Sequence, residues 1–129
     1  MGALTLPASG LVYIDTMTLI YTVERFPAYW PLLEPMWLAA GAGTFEIISS
    51  EPLKSGNAVL QQAFEDALSG SDLRLLPITQ PILREAARLR VTTKLRTPDA
   101  LHAATAMNAG CALFVTNDIA FRGIRGCRL

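Results

Sequence analysis

Three aspartates occupy positions where an acid can do chemistry. Asp15 directly follows the apolar run Leu11-Val12-Tyr13-Ile14, Asp99 follows Thr97-Pro98, and Asp118 follows Phe114-Val115-Thr116-Asn117. An acid set against four apolar strand residues is partly desolvated and needs a partner. Carboxylates brought together repel one another unless a cation neutralises them. His102 is the only histidine, Cys111 and Cys127 are the only cysteines, and no C-x-x-C or Cys/His cluster exists. That shortage argues against zinc and for the hard, oxygen-seeking ions Mg2+ or Mn2+. Such ions act on phosphoryl groups by activating water and screening charge on the attacked phosphate. Two of the acids also have plainer readings. Asp99 in a first helical turn complements the helix dipole by about 0.3–1 kcal/mol, and Asn117-Asp118 is ordinary turn chemistry.

The elements that must position these acids follow from local pattern. Leu11–Ile14 reads as a buried strand ending at Asp15. Thr16 or Thr18 is expected to cap a helix carrying Leu19, Ile20 and Val23, with Pro27 stopping it. Tyr29, Leu32, Leu33, Met36, Trp37 and Ala40 repeat at helical spacing, and Gly41-Ala42-Gly43 ends that helix. Trp30 and Trp37 share one of its faces; core packing is the default, with an apolar groove for a partner segment as the other reading. Phe45–Ile48 alternates as a second strand. Ser55-Gly56-Asn57 introduces a helix with Leu60, Phe64, Ala67 and Leu68 on one face, terminated by Gly70. Leu73–Leu76 is a third strand. Helices are expected to start at Thr79-Gln80-Pro81 and at Thr97-Pro98-Asp99, the latter capped by Thr97 and ended by Gly110. Cys111–Val115 is a fourth strand. Strands alternating with helices give an α/β class with a mostly parallel central sheet flanked by helices. Ligands in such sheets sit beyond the C-terminal strand ends, where all three acids fall.

Composition bounds the class. The chain has 129 residues, 51% of them hydrophobic and 17% charged, which fits one folded domain over 1–129 and excludes a solvating, disordered chain. Apolar stretches are cut by charge, Pro or Gly well before the roughly 20 residues a membrane span needs. No signal peptide is visible, and the thiols fit a reducing cytoplasm. Eleven Lys+Arg balance eleven Asp+Glu, but not evenly along the chain. Up to position 83, eight acids face Arg25, Lys54 and Arg74; from Arg84 onward, eight basic residues face Glu85, Asp99 and Asp118. The basic second half can hold the phosphates that flank a metal-covered one, so neutrality does not exclude RNA.

Taken together, Val12-Tyr13-Ile14-Asp15-Thr16, Arg96-Thr97-Pro98-Asp99-Ala100-Leu101-His102-Ala103-Ala104-Thr105-Ala106, and Phe114-Val115-Thr116-Asn117-Asp118 with Phe121 resemble a PIN domain. More narrowly, they resemble the toxin of VapBC-type toxin–antitoxin modules, over essentially the whole chain. The resemblance implies a metal-dependent endoribonuclease, usually a homodimer, inhibited by a cognate antitoxin protein. Carried over by position, Asp15, Asp99 and Asp118 are the acids that hold Mg2+ or Mn2+, and Thr116 is the hydroxyl beside the last of them.

The pattern departs from the family after the second strand. A Glu usually follows there, in a pattern like S-x-L-T-x-x-E-V-L, whereas Ser49-Ser50-Glu51 leads straight into Pro52-Leu53-Lys54. Roughly two helical turns are absent between Glu51 and Pro52. Natural loss, deletion, and a mobile loop with its flanks joined are the explanations; the third is favoured because the second strand otherwise lacks a proper crossover. The departure also motivates an alternative reading, a catalytically weakened PIN-like module that binds RNA or protein. A phosphotransfer domain phosphorylated on Asp15 is a third reading, weakened by Met17 where a phosphatase pattern wants an acid. His102 shares a helix face with Asp99 and is expected to orient the site or pack rather than act as a base. Glu24 reads as a surface acid. Arg122, Arg125 and Arg128 contact phosphate or are solvated surface.

Overall fold

Side chains alternate across a sheet, and that alternation divides the core in two. In the computed structural model, which describes residues 5–50, 62, 65–66 and 73–116, the strands are β1 (Leu11–Ile14), β2 (Glu46–Ser50), β3 (Leu73–Leu76) and β4 (Leu113–Val115). Val12, Ile14, Ile47, Leu113 and Val115 pack on one face with Leu19, Leu33 and Met36. Tyr13, Ile48 and Phe114 pack on the other with Ile82, Ala86, Leu89 and a run of alanines. The helices covering the first face are α1 (Thr16–Glu24) and α2 (Trp30–Gly41); those covering the second are α3 (Gln80–Thr92) and α4 (Thr97–Ala109). The result is a layered α/β fold.

The sheet order is β3-β2-β1-β4, with every pairing parallel. The chain therefore runs outward from β1 to β3, then returns through α3 and α4 to place β4 on the other flank of β1. That reversal makes the crevice between the C-terminal ends of β1 and β4 the switch point where such sheets bind ligands.

The strands expected at 11–14 and 73–76 are observed with those bounds. The second strand runs on to Ser50, because Ser49 and Ser50 find ladder partners in Leu75 and Leu76. The parallel pairing of β2 with β3 answers the doubt about a crossover. Such a connection needs about a dozen residues or more, and residues 51–72 supply it. The Glu51–Pro52 junction, the expected helix with Leu60, Phe64, Ala67 and Leu68, Asp118, Phe121 and the three C-terminal arginines lie outside the described residues.

Two helix caps differ from expectation. Asp15, not Thr16 or Thr18, is the N-cap of α1, with its side chain accepting from the Thr18 N–H. Asp15 alone separates β1 from α1, so its carboxylate is the group in reach of the free amides. Arg96, not Thr97, is the N-cap of α4, and the Thr97 hydroxyl instead accepts from Arg90 at 3.0 Å. Gly110 does end α4, in the left-handed region at φ 68°, where its missing Cβ removes the penalty other residues meet. Trp30 and Trp37 pack partly buried against the α1/α2 core, with Trp37 Nε1 donating to Thr22 Oγ1 at 2.9 Å. Among the described residues no helix is long and apolar enough to cross a membrane.

Candidate active site

The site begins with a carboxylate that has been given a fixed direction. Asp15 is 7% exposed, and its Oδ1 accepts from the Thr18 amide at 2.9 Å and the Thr18 hydroxyl at 2.7 Å. Its Oδ2 accepts from Thr116 Oγ1 at 2.6 Å. Thr116 lies just past β4, so this bond joins the ends of the two strands that border the switch point. Thr18 Oγ1 also lies 3.1 Å from the Val115 carbonyl, reinforcing the same junction. A carboxylate has about four lone-pair sites, and these bonds take three. One site on Oδ2 is left without a protein partner among the described residues. The positive end of α1 favours negative charge at that spot.

Asp99 lies in the first turn of α4 and is half-buried. Its position relative to β1 is set one turn further along the same helix face, by His102. Among the described residues no three His, Cys, Asp or Glu side chains group as a metal site. The structure thus brings Asp15 and Thr116 into direct contact and places Asp99 on the helix bound to the residue after Asp15. Glu24 is exposed, as expected of a surface acid.

Sequence reasoning missed the polar layer beneath these acids. Tyr13 is fully buried, and its hydroxyl lies 2.7 Å from His102 Nδ1. The Ser50 amide donates to the same hydroxyl at 3.1 Å. The other ring nitrogen, Nε2, lies 2.9 Å from Thr16 Oγ1, so the imidazole hydrogen-bonds on both sides. Ser50 Oγ lies 3.3 Å from Nδ1. Burial pushes the Tyr13 phenol up from its ordinary value and holds His102 below its own, against an opposing pull from Asp15. Both groups are therefore neutral near pH 7, in agreement with this bond pattern. With both ring nitrogens committed, His102 orients its surroundings and is not disposed to act as a base. The available signal was the crowding of hydroxyls in Asp15-Thr16-Met17-Thr18 and Ser49-Ser50, at two strand ends.

A histidine kept neutral by burial gives stability a definite pH dependence. The unfolded chain takes up a proton near pH 6.5, whereas the folded chain resists it. The unfolded state then binds more protons, so stability falls as pH drops below about 6.5, by at most about 1.4 kcal/mol per pH unit. Urea unfolding between pH 7 and 5 measures this. His102→Gln is expected to flatten the His102 contribution to that slope, and an unchanged slope would argue against a neutral buried His102.

Basic residues are concentrated on α3 and the segment after it. Arg84, Arg88, Arg90, Lys94 and Arg96 are all exposed. Arg88 pairs with Glu85, and Arg90 reaches the first residue of α4. Positive charge therefore runs up to the helix start that carries Asp99.

The fold is similar to that of VapBC2 from Rickettsia felis, solved bound to a DNA fragment from its promoter. The TM-score is 0.61 at 21% identity, covering 92% of this chain and 96% of the other. A toxin–antitoxin complex from Klebsiella pneumoniae is also similar, with a TM-score of 0.54 at 20% identity and the same coverage. At such identity the likeness is one of fold. Among functionally curated proteins, none matches the sequence. Family membership rests on the sequence itself: residues 12–126 match the family model of the PIN domain, and the chain belongs to that family.

Proposed function

We propose that this PIN domain is a divalent-metal-dependent endoribonuclease and the toxin half of a toxin–antitoxin pair, working as a homodimer held in check by a cognate antitoxin protein. The observation that carries the nuclease reading is the Asp15 carboxylate. It is buried at the switch point, braced by Thr18 and Thr116, and among the described residues keeps one lone-pair site on Oδ2 open. The pairing with an antitoxin is supported by similarity in fold to VapBC2 from Rickettsia felis and to a toxin–antitoxin complex from Klebsiella pneumoniae.

The donors fit a hard cation. They are carboxylate and hydroxyl oxygens, His102 has no nitrogen to spare, and the Cys111 thiol is buried. Mg2+ is commonly held by only one or two carboxylates, with water filling the rest. Asp15, Asp99 and Asp118 would hold the ion. Bound there, Mg2+ or Mn2+ supplies the charge and water activation that phosphodiester hydrolysis needs. The chain's own part is orientation and charge. Thr18 and Thr116 fix the Asp15 carboxylate, as partners behind metal ligands do, while Arg84, Arg90, Lys94 and Arg96 attract the phosphates on either side of the scissile one.

The test is cleavage of single-stranded and structured RNAs by the full chain in EDTA, then in Mg2+ and Mn2+. Cutting that appears with metal and disappears with chelator is expected. RNA binding without cleavage in any metal would favour the weakened binding module that the missing second-motif Glu suggests, and would overturn the nuclease reading.

A further inference from the structure

The exposed basic residues of α3 and of the segment leading to α4 are not equivalent. Arg88 is spent on Glu85. Arg84, Lys94 and Arg96 make no side-chain hydrogen bond or ion pair among the described residues, so each is a solvated charge on a free stem. Arg90 differs from all four. It lies in the last turn of α3, and its Nη1 donates to the Thr97 hydroxyl at 3.0 Å. A guanidinium is always charged and only donates, so the two groups themselves settle the polarity of this bond. The bond uses one edge of the fork and leaves the Nε/Nη2 edge facing no carboxylate among the described residues.

Thr97 holds that guanidinium close to a candidate catalytic acid. Thr97 and Asp99 share the first turn of α4, within about the 10–12 Å width of a helix. The turn beneath them is braced. Leu95 is buried, its amide donates to Thr93 Oγ1 at 3.2 Å, and that hydroxyl donates to the Leu89 carbonyl at 2.6 Å. Where α3 ends is thereby fixed relative to where α4 begins. The arrangement breaks a local rule, since α4 has no side-chain cap and the hydroxyl at its start is held by Arg90. Such departures are expected at functional sites. A free arginine loses rotamer freedom when a ligand fixes it, and an arginine already held loses less. We propose that Arg90 is a substrate-binding residue whose Nε/Nη2 edge donates to an RNA phosphate adjoining the scissile one, and that Thr97 is the positioning residue that aims it. The proposal rests on the nuclease reading and picks out one fixed contact within the diffuse positive charge of Arg84, Lys94 and Arg96.

A hydrogen bond to a charged group is worth a factor of about ten to a hundred. Arg90→Ala is expected to raise Kd for a single-stranded RNA oligonucleotide, measured by fluorescence anisotropy in EDTA, by about tenfold or more. KM for Mn2+-dependent cleavage should rise alike with kcat little changed, as loss of uniform binding requires. Arg90→Lys keeps the charge and the salt dependence but not the fork, and should recover little of the affinity. Thr97→Val keeps the branched shape and frees the guanidinium, so it should raise Kd in the same direction by less. Arg84→Ala removes an equal charge and should cost clearly less than Arg90→Ala. Arg90 and Thr97 are both exposed, so these variants should unfold in urea as the wild type does. Unchanged Kd in Arg90→Ala, full affinity in Arg90→Lys, or an equal loss in Arg84→Ala would overturn the proposal while a wild type that cuts RNA keeps the nuclease reading intact. RNA binding that depends on Arg90 without metal-dependent cutting would uphold the contact and sink the nuclease reading. A wild-type protein that neither cuts nor binds RNA would sink both.

Discussion

Replacing Asp15 is expected to produce the largest single loss, and Ala and Asn should fail in different ways. Asp15→Ala removes the N-cap of α1, worth about 0.5–2 kcal/mol. It also leaves the buried Thr18 and half-buried Thr116 groups without their acceptor, at about 1–3 kcal/mol more. A destabilisation of about 2–4 kcal/mol should therefore accompany loss of activity. Asp15→Asn keeps an oxygen for the Thr18 amide, and the Thr116 hydroxyl can turn to accept from the new NH2 group. Its stability cost should stay below about 1 kcal/mol, yet the charge is gone. Cleavage should fall by more than about 100-fold, the upper end of what losing an outer partner of a metal ligand costs. Urea unfolding and Mn2+-dependent cleavage, run on both variants, separate the two roles. Asp15→Asn cutting RNA within a few-fold of wild type would remove Asp15 from the reaction and leave it as a cap.

Asp99→Asn should show the complementary profile, with activity lost and the fold intact. Asp99 is half-buried in the first turn of α4, and its interaction with the helix dipole is worth about 0.3–1 kcal/mol. Asn keeps the size of the side chain and an oxygen to accept with, so the variant is expected to melt within a few degrees of wild type. If Asp99 serves the same ion as Asp15, cleavage falls by more than about 100-fold here too, and the double variant is hardly worse than either single one. Groups that act as a unit are strongly non-additive. Undiminished cutting by Asp99→Asn would return this acid to the plain helix-dipole reading.

The two acids differ in how far the sequence alone could take them. Asp15 was identifiable because an acid closing the run Leu11-Val12-Tyr13-Ile14 has few structural excuses. Its capping of α1 was not, since the choice among Asp15, Thr16 and Thr18 depends on where the strand stops. Thr97 misled for a related reason. A threonine before Pro98 is a sound local cap, but Arg90 on the preceding helix takes its hydroxyl. The second strand also ran past its apolar residues, because Ser49 and Ser50 are held by a ladder to β3. His102 could be assigned to the face of Asp99 by spacing, whereas its partners Tyr13 and Thr16 lie 89 and 86 residues away.

By itself, the sequence determined the α/β class, the bounds of β1 and β3, and the face of α3 that Ile82, Ala86 and Leu89 bury. All of these follow from periodicity and local chemistry over a few residues. The tertiary structure alone decided the rest: the order β3-β2-β1-β4, the Thr116 bond to Asp15, and the hydrogen-bond contacts that link Ser50, Tyr13, His102 and Thr16. These depend on which strand ends meet. No local pattern encodes a hydrogen bond closed between residues so far apart along the chain.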